Sequence, residues 1–148
     1  MATYESRKPG PNEFSDVGFP IQVQVVEYDH SDLDAAKKFY VPIEAGIAVI
    51  GVAHQITEAF AGGTPQLEIG DSSDADEYIG DASIVEANVN DFVCSMALGT
   101  DAAKGKYYPS TDYIVVLQNL ANHLTAGAGK IFVFYVDTRT NWRTKNDL

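Results

Sequence analysis

Five acidic residues lie within residues 71–81, and they are the part of this sequence that could most readily bind a ligand. Calcium takes six to eight oxygen atoms, and calcium loops supply many of them from carboxylates spaced two residues apart. Asp74 and Asp76 have that spacing, but Tyr78 occupies the next ligand position. We therefore expect a solvated turn with no bound metal. The weak candidates for a metal site are Asp71, Asp74 and Asp76.

The other reactive side chains form no recognisable catalytic motif. His30, His54 and His123 have no second ligand at the spacing of a zinc site, and His54 lies in an apolar segment typical of a buried core histidine. The single cysteine, Cys94, lies in the apolar run 92–96, which predicts a buried structural thiol and excludes an intrachain disulfide. The sequence therefore predicts no enzyme activity and no cofactor.

The segment Gly127-Ala-Gly-Lys130 resembles the end of a phosphate-binding loop. A complete loop has a glycine five residues before its final Gly-Lys pair, and a serine or threonine after the lysine. Leu124 and Ile131 occupy those two positions. We therefore expect a glycine-rich hairpin turn here.

Short apolar runs separated by turn residues indicate the elements that must position these side chains. Residues 21–25 alternate between apolar and polar side chains, and residues 46–60 are rich in β-branched types; both patterns favour strands. Residues 37–43 are expected to be extended, and further strands are expected at 67–69, 92–98, 114–120 and 131–136. Seven or eight short strands with frequent turn signals predict an all-β fold, namely a single antiparallel β-sandwich of jelly-roll type.

The chain of 148 residues has room for one ordinary domain. Residues 1–18 contain prolines and glycines with no apolar period, which predicts an extended N-terminal arm. The sandwich should occupy residues 19–137, and a polar tail should follow at 138–148. The strand expected at 131–136 is apolar on both faces, so we expect a second sheet or another subunit to cover it.

The net charge is −11, and the segment from Asp29 to Asp91 alone accounts for that value, with thirteen acidic residues against two lysines. An acidic body argues against direct nucleic-acid binding, which depends on cationic groups meeting phosphates. No apolar run approaches the roughly 18 residues of a membrane helix. The N-terminus also has no apolar signal core. We therefore expect no membrane association, and a protein that is made and kept in a cytoplasm or assembled there into something larger.

Three segments together resemble small virion proteins of tailed bacteriophages, of the capsid decoration or cement type. They are Leu67-Glu-Ile-Gly-Asp-Ser-Ser-Asp-Ala-Asp-Glu-Tyr-Ile79, Gly105-Lys-Tyr-Tyr-Pro-Ser-Thr-Asp-Tyr-Ile114 and Thr125-Ala-Gly-Ala-Gly-Lys-Ile-Phe-Val-Phe-Tyr-Val136. The resemblance spans residues 43–137. It implies a β-sandwich that sits on the capsid surface and often assembles as a trimer, and it implies no catalytic residues.

The expected function is therefore that of a structural virion protein that stabilises a capsid lattice, with the major capsid protein as its partner and a homotrimer as the favoured oligomer. Cationic and aromatic residues are the expected contacts. They are Arg7, Lys8, Phe14, Phe132, Phe134, Arg139, Trp142 and Arg143. The alternative is a head or tail fibre or a tail accessory protein whose β-sandwich binds glycans or a receptor, because aromatic side chains on strands can also bind sugars.

Overall fold

The computed structural model describes residues 21–33, 37–98, 105–118 and 123–139. Within these ranges the chain forms eight strands and three short 3-10 turns. The strands are β1 (Gln22–Asp29), β2 (Phe39–Ile43), β3 (Ile47–Ala61), β4 (Leu67–Asp71), β5 (Phe92–Cys94), β6 (Lys106–Tyr108), β7 (Asp112–Gln118) and β8 (Ala126–Asp137). The turns are His30–Asp32, Asp81–Ser83 and Ser95–Ala97. None of the described residues belongs to a helix that could cross a membrane.

The strands form two antiparallel sheets. The larger sheet has the order β1-β8-β3-β5, with β6 also paired to β3, and the smaller sheet has the order β2-β7-β4. Over the first four strands the chain alternates between the two sheets, which gives the jelly-roll type of connection. The predicted all-β antiparallel sandwich is confirmed.

The core lies between the inner faces of the two sheets. Val52, Ile131 and Val133 from the larger sheet are fully buried, as are Ile69 and Ile114 from the smaller one. Along β8 the buried residues Ile131 and Val133 alternate with half-buried side chains, as the pleat of a strand requires. β8 is central in its sheet, between β1 and β3, and the smaller sheet covers its inner face.

The glycine-rich segment before Ile131 is not the hairpin turn that the sequence suggests, because residues 126–130 form the first part of β8. Gly127 has a φ of 130°, and a Cβ there would lie 2.1 Å from Phe60. A Cβ at Gly129 would lie 2.7 Å from the Nε2 atom of His54. These glycines therefore serve close packing against large core side chains, which a turn motif cannot reveal.

The strand expected over residues 92–98 is also shorter in the structure. It ends at Cys94, and Ser95–Ala97 form a 3-10 turn. The Ser95 hydroxyl accepts a hydrogen bond from the Val52 N–H at 3.0 Å, which holds this turn against β3. Cys94 is half-buried and not part of the core, because it pairs with Ala53 on the outer side of the sheet.

Candidate partner-binding surface

The outer face of the larger sheet carries a band of apolar side chains. Val23 lies opposite Phe134 and Val25 opposite Phe132, and directly opposed residues project from the same side of a sheet. The exposed fractions of Val23 and Val25 are 52% and 50%. We call this surface the outer apolar face. Its members are Ile21, Val23, Val25, Phe92, Met96, Phe132 and Phe134.

Contacts within the molecule order this surface without covering it. The rings of Phe92 and Phe132 meet edge to face with their centroids 5.7 Å apart, yet Phe92 is 54% exposed. The Met96 side chain lies over Gly51, where a Cβ would come within 2.8 Å of it. A contiguous exposed patch of this kind marks a partner-binding site more often than a free surface. The outer apolar face is therefore our candidate interface.

The structure separates the residues that the sequence assigned to an interface. Phe132 and Phe134 lie on the outer apolar face. Arg139 lies at the end of β8, where it donates hydrogen bonds to Glu44 at 2.5 Å and to Asp137 at 2.9 Å. The described residues do not include Arg7, Lys8, Phe14, Trp142 and Arg143.

The acidic turn is built around Asp71, whose side chain is buried between the two sheets. Its carboxylate accepts hydrogen bonds from Lys106 Nζ at 2.6 Å, from Tyr108 Oη at 2.8 Å and from Ser73 Oγ at 2.7 Å. Tyr78 adds to this network through a hydroxyl contact of 2.6 Å with Tyr108. Because Asp71 ends β4 and Lys106 begins β6, this ion pair joins the two sheets at one edge of the sandwich.

The electrostatics of this corner favour a structural role. Burial raises the pKa of Asp71, but hydrogen bonds from Lys106, Ser73 and Tyr108 outweigh burial and hold the pKa well below its usual range. The carboxylate therefore stays ionised and remains matched to the lysine ammonium. Among the described residues no group of three or more His, Cys, Asp or Glu side chains could hold a metal ion.

The remaining acidic candidates of this turn lie at the surface. Asp74 and Asp76 are exposed, and the hydrogen bond between their side chains raises the pKa of Asp76. When two carboxyl groups lie this close, a negative charge on one disfavours ionisation of the other. The turn instead packs through its backbone: a Cβ at Gly70 would lie only 2.0 Å from the Asp74 carbonyl oxygen. The acidic turn therefore folds over β4.

His54 is a core residue, as the sequence indicated. It is fully buried, and its Nε2 atom lies 2.5 Å from the Tyr28 hydroxyl. Burial lowers the pKa of His54 to about 4, so the ring is neutral near pH 7. Its Nδ1 atom has no hydrogen-bond partner among the described residues. With only Tyr28 as its bonded partner and no access to solvent, His54 serves packing.

Sequence reasoning missed the outward direction of Ile21, Val23 and Val25. The alternation correctly predicted a strand, but it did not indicate which side of that strand faces the core. In the structure Val26 and Tyr28 of the same strand face the core instead. The sequence signal was weak, because the two inner-side positions at the start of β1 are the exposed residues Gln22 and Gln24. The Asp71–Lys106 ion pair had no local sequence signal, since 35 residues separate its partners.

No family model matches this chain, and no curated protein matches it. Two solved structures do. A chain of the "Cyanophage Pam1 capsid asymmetric unit" aligns with a TM-score of 0.58 and 16% identity, over 92% of this chain and 96% of that one. A chain of the "Capsid of Ralstonia phage GP4" aligns with a TM-score of 0.52 and 13% identity, over 80% of this chain and 86% of that one. The resemblance to phage virion proteins is thus confirmed at the level of the fold.

Proposed function

We propose that this chain is a structural protein of a tailed-bacteriophage virion, and that it binds and stabilises the capsid lattice as a cement or decoration protein without catalysing a reaction. The observation that carries the proposal is the likeness of fold to chains from two phage capsids, over 96% and 86% of the lengths of those chains. The likeness extends over almost the whole of each matched chain, so it concerns the complete sandwich and not a recurring pair of strands.

The outer apolar face supports this proposal because it suits a large, flat protein partner. A specific protein interface buries about 1,600 Å² in total, with an apolar centre and aromatic anchors. Phe92, Phe132 and Phe134 supply such anchors on a rigid sheet. The major capsid protein is the proposed partner of this surface.

The charge distribution supports a position on the outside of the shell. The acidic body is repelled by the phosphates of packaged DNA, whereas the outer apolar face can bind a protein surface without this repulsion. Repetition around a lattice strengthens each weak contact through effective concentration. A cyclic homotrimer, assembled in the host cytoplasm, is the form we propose for this chain on the capsid surface.

The proposal is tested by locating the protein on purified particles. Mass spectrometry should find it at a fixed ratio to the major capsid protein, and cryo-electron microscopy should place it on the outer shell. Absence from particles would overturn the proposal. Density on a fibre or tail, together with binding on a glycan array, would favour the alternative of a receptor-binding module.

Deleting residues 1–18 provides a second test of the assembly role. We expect the truncated protein to keep its fold, because β1 and the described core begin after the deletion. Its occupancy on particles should fall, since an extended segment that orders on a neighbouring molecule contributes contact area there. Circular dichroism and a particle pull-down measure the two quantities. Full decoration by the truncated protein would remove the arm from the interface.

A further inference from the structure

We propose that the segment before β1 adds a strand, in a second copy of this chain, to the edge of β1 that no other described strand occupies. This deepens the proposed function by naming one contact of the assembly. β1 lies at the edge of the larger sheet and pairs with β8 over eight consecutive residue pairs without a register shift. Its sequence contains no proline, lysine or glycine. An edge of this kind presents a row of unpaired N–H and C=O groups to another strand.

The other edges among the described strands are bridged, interrupted by proline or short. β2 contains Pro42, which has no N–H to donate. β4 is bridged on its outer side, where Ile69 and Ile79 exchange N–H to carbonyl bonds of 2.8 and 2.9 Å. β5 and β6 are each three residues long. β1 is therefore the long edge that this part of the chain leaves open.

The direction of the backbone amides identifies the groups available on that edge. The Asp29 N–H donates to Asp32 Oδ2 at 3.0 Å, within the turn that follows β1. Amide directions alternate along a strand, so the N–H groups of Val23, Val25 and Glu27 point to the same side as that of Asp29. An added strand would bond to these groups.

The segment before β1 has the sequence of a strand that can pair on one side. Pro9 and Pro11 are two residues apart, so as part of one strand both would lack an N–H on the same edge. Lys8, Gly10 and Asn12 would present their N–H groups on the opposite edge. Such a strand pairs once and then ends the sheet, which prevents further edge-to-edge growth.

An antiparallel register exists in which the side chains also match. It places Lys8 opposite Asp29 and Phe14 opposite Val23. Opposite charges and apolar pairs at directly opposed positions both stabilise a sheet. Val23 is on the outer apolar face and is 52% exposed, so Phe14 would extend that face.

The sequence just before β1 favours pairing with a second copy over pairing within the same molecule. Pairing with its own edge would require the chain to reverse within residues 17–20. Pro20 immediately precedes Ile21, and the residue before a proline is biased toward extended conformations, which disfavours a tight reversal here. Twenty residues reach up to about 66 Å when extended, well beyond the ~26 Å length of β1. Exchange of identical elements between copies is a low-cost route to assembly.

Disulfide trapping tests this pairing in the full chain. The protein carries Cys94→Ser, to remove the native thiol, together with Phe14→Cys and Val23→Cys. Opposed residues of paired strands have Cβ atoms close enough for a bridge after a small adjustment. The control carries Cys94→Ser, Phe14→Cys and Tyr40→Cys, because Tyr40 is similarly exposed at 49% but belongs to the other sheet. We expect oxidation to shift the first protein, and not the control, from monomer to covalent multimers on a non-reducing gel.

Two outcomes would overturn the proposal. A bridge within one chain, seen as a monomer of reduced mass, would show pairing with its own edge, and equal or absent cross-linking in both proteins would show no specific pairing. The pair Asn12→Cys and Val25→Cys repeats the test with Phe14 intact, in case its loss weakens docking. Because the assay needs no particles, its failure leaves the virion role standing, whereas absence from particles leaves the cross-linking result unchanged.

Discussion

Asp71 shows how one side chain joins the two sheets. Replacing it with asparagine keeps the shape but removes the negative charge that Lys106 meets at 2.6 Å. We expect Asp71→Asn to lower the free energy of unfolding by about 2–3 kcal/mol, because Lys106 loses the negative charge that it pairs with. The loss is no larger because the lysine side chain is partly exposed and stays hydrated. Urea unfolding of this variant beside Glu58→Gln, an exposed acidic position on β3, measures the effect.

The pH dependence of this difference follows from the lowered pKa of Asp71. A carboxyl whose folded-state pKa is depressed stabilises the protein above its unfolded-state pKa, near 4, and this contribution is lost as the pH falls toward the folded-state pKa. The gap in stability between the natural protein and Asp71→Asn should therefore be full at pH 7 and should narrow below about pH 4. A gap that stayed constant down to pH 2 would contradict the ion pair as its source.

Protonation of His54 should destabilise the protein in mild acid, because it places a positive charge in the core, whereas protonation of Asp71 removes a negative charge. Burial lowers its pKa to about 4, whereas an unfolded chain binds this proton near pH 6.5. The stability that the neutral ring contributes is thus complete above pH 6.5 and is lost as the pH falls from there toward 4. Between pH 7.5 and pH 5.0 the loss should be about 2 kcal/mol.

The matched variant His54→Gln keeps a hydrogen-bonding side chain opposite Tyr28 but does not titrate. Its stability should change less than that of the natural protein over the same pH interval, even if its absolute stability is lower. Asp91 and Glu86 are the carboxylates that act on this pair, and both remain in the variant. Parallel pH profiles for the two proteins would exclude His54 as the titrating group.

At the scale of the elements, the acidic turn depends on the absence of a side chain at Gly70. A Cβ there would lie 2.0 Å from the backbone oxygen of Asp74, and backbone atoms cannot move aside as a flexible side chain can. We expect Gly70→Ala to destabilise the fold by roughly 2 kcal/mol or more, because the turn must lift away from β4. Gly80→Ala is the control, since its Cβ would meet its nearest atom at 3.9 Å. Equal unfolding temperatures for the two variants would be inconsistent with close packing of the turn.

The elements also show which parts of the fold can be predicted from sequence. Strands with a local pattern were found, including the long β3 and the start of β1, because apolar periodicity depends on neighbouring residues alone. The first half of β8 was not found. Its glycines pack against Phe60, His54 and Tyr28, which lie on other strands. Local turn chemistry cannot anticipate contacts between residues that are 67 to 101 positions apart, as these are.

The candidate interface likewise has residues that a local sequence pattern predicts and residues whose position depends on distant contacts. Phe132 and Phe134 were predicted at an interface, and the structure places both on the outer apolar face. Val23 and Val25 were assigned to a strand, but which side of β1 faces the core depends on contacts with residues distant in the sequence. Tyr28, for example, stacks on Phe39 and Phe60. Cys94 was expected in the core because it lies in an apolar run, but it is half-buried on the outer side of β5.

For the whole molecule, the outer apolar face should govern assembly while leaving the fold intact. Phe92 tests whether assembly and folding are separate, because it is 54% exposed and lies on β5, at one end of the outer apolar face. Phe92→Ser should cost little folding stability, on the order of 1 kcal/mol from its edge-to-face contact with Phe132. Its affinity for particles should fall by roughly 30-fold if Phe92 is an anchor, since interface anchors contribute ~2 kcal/mol or more.

The comparison with Tyr40→Ser decides between a specific face and general stickiness. Tyr40 is 49% exposed and meets Tyr113 edge to face at 4.8 Å, so it matches Phe92 in exposure and in aromatic contact, but on the other sheet. Both variants should unfold at similar temperatures, and only Phe92→Ser should lose binding in a titration against undecorated particles. Equal loss by both would mean that exposed apolar area drives attachment without a defined interface. Binding lost only by Tyr40→Ser would move the interface to the smaller sheet, and the larger sheet would then have to face solvent or another copy of this chain.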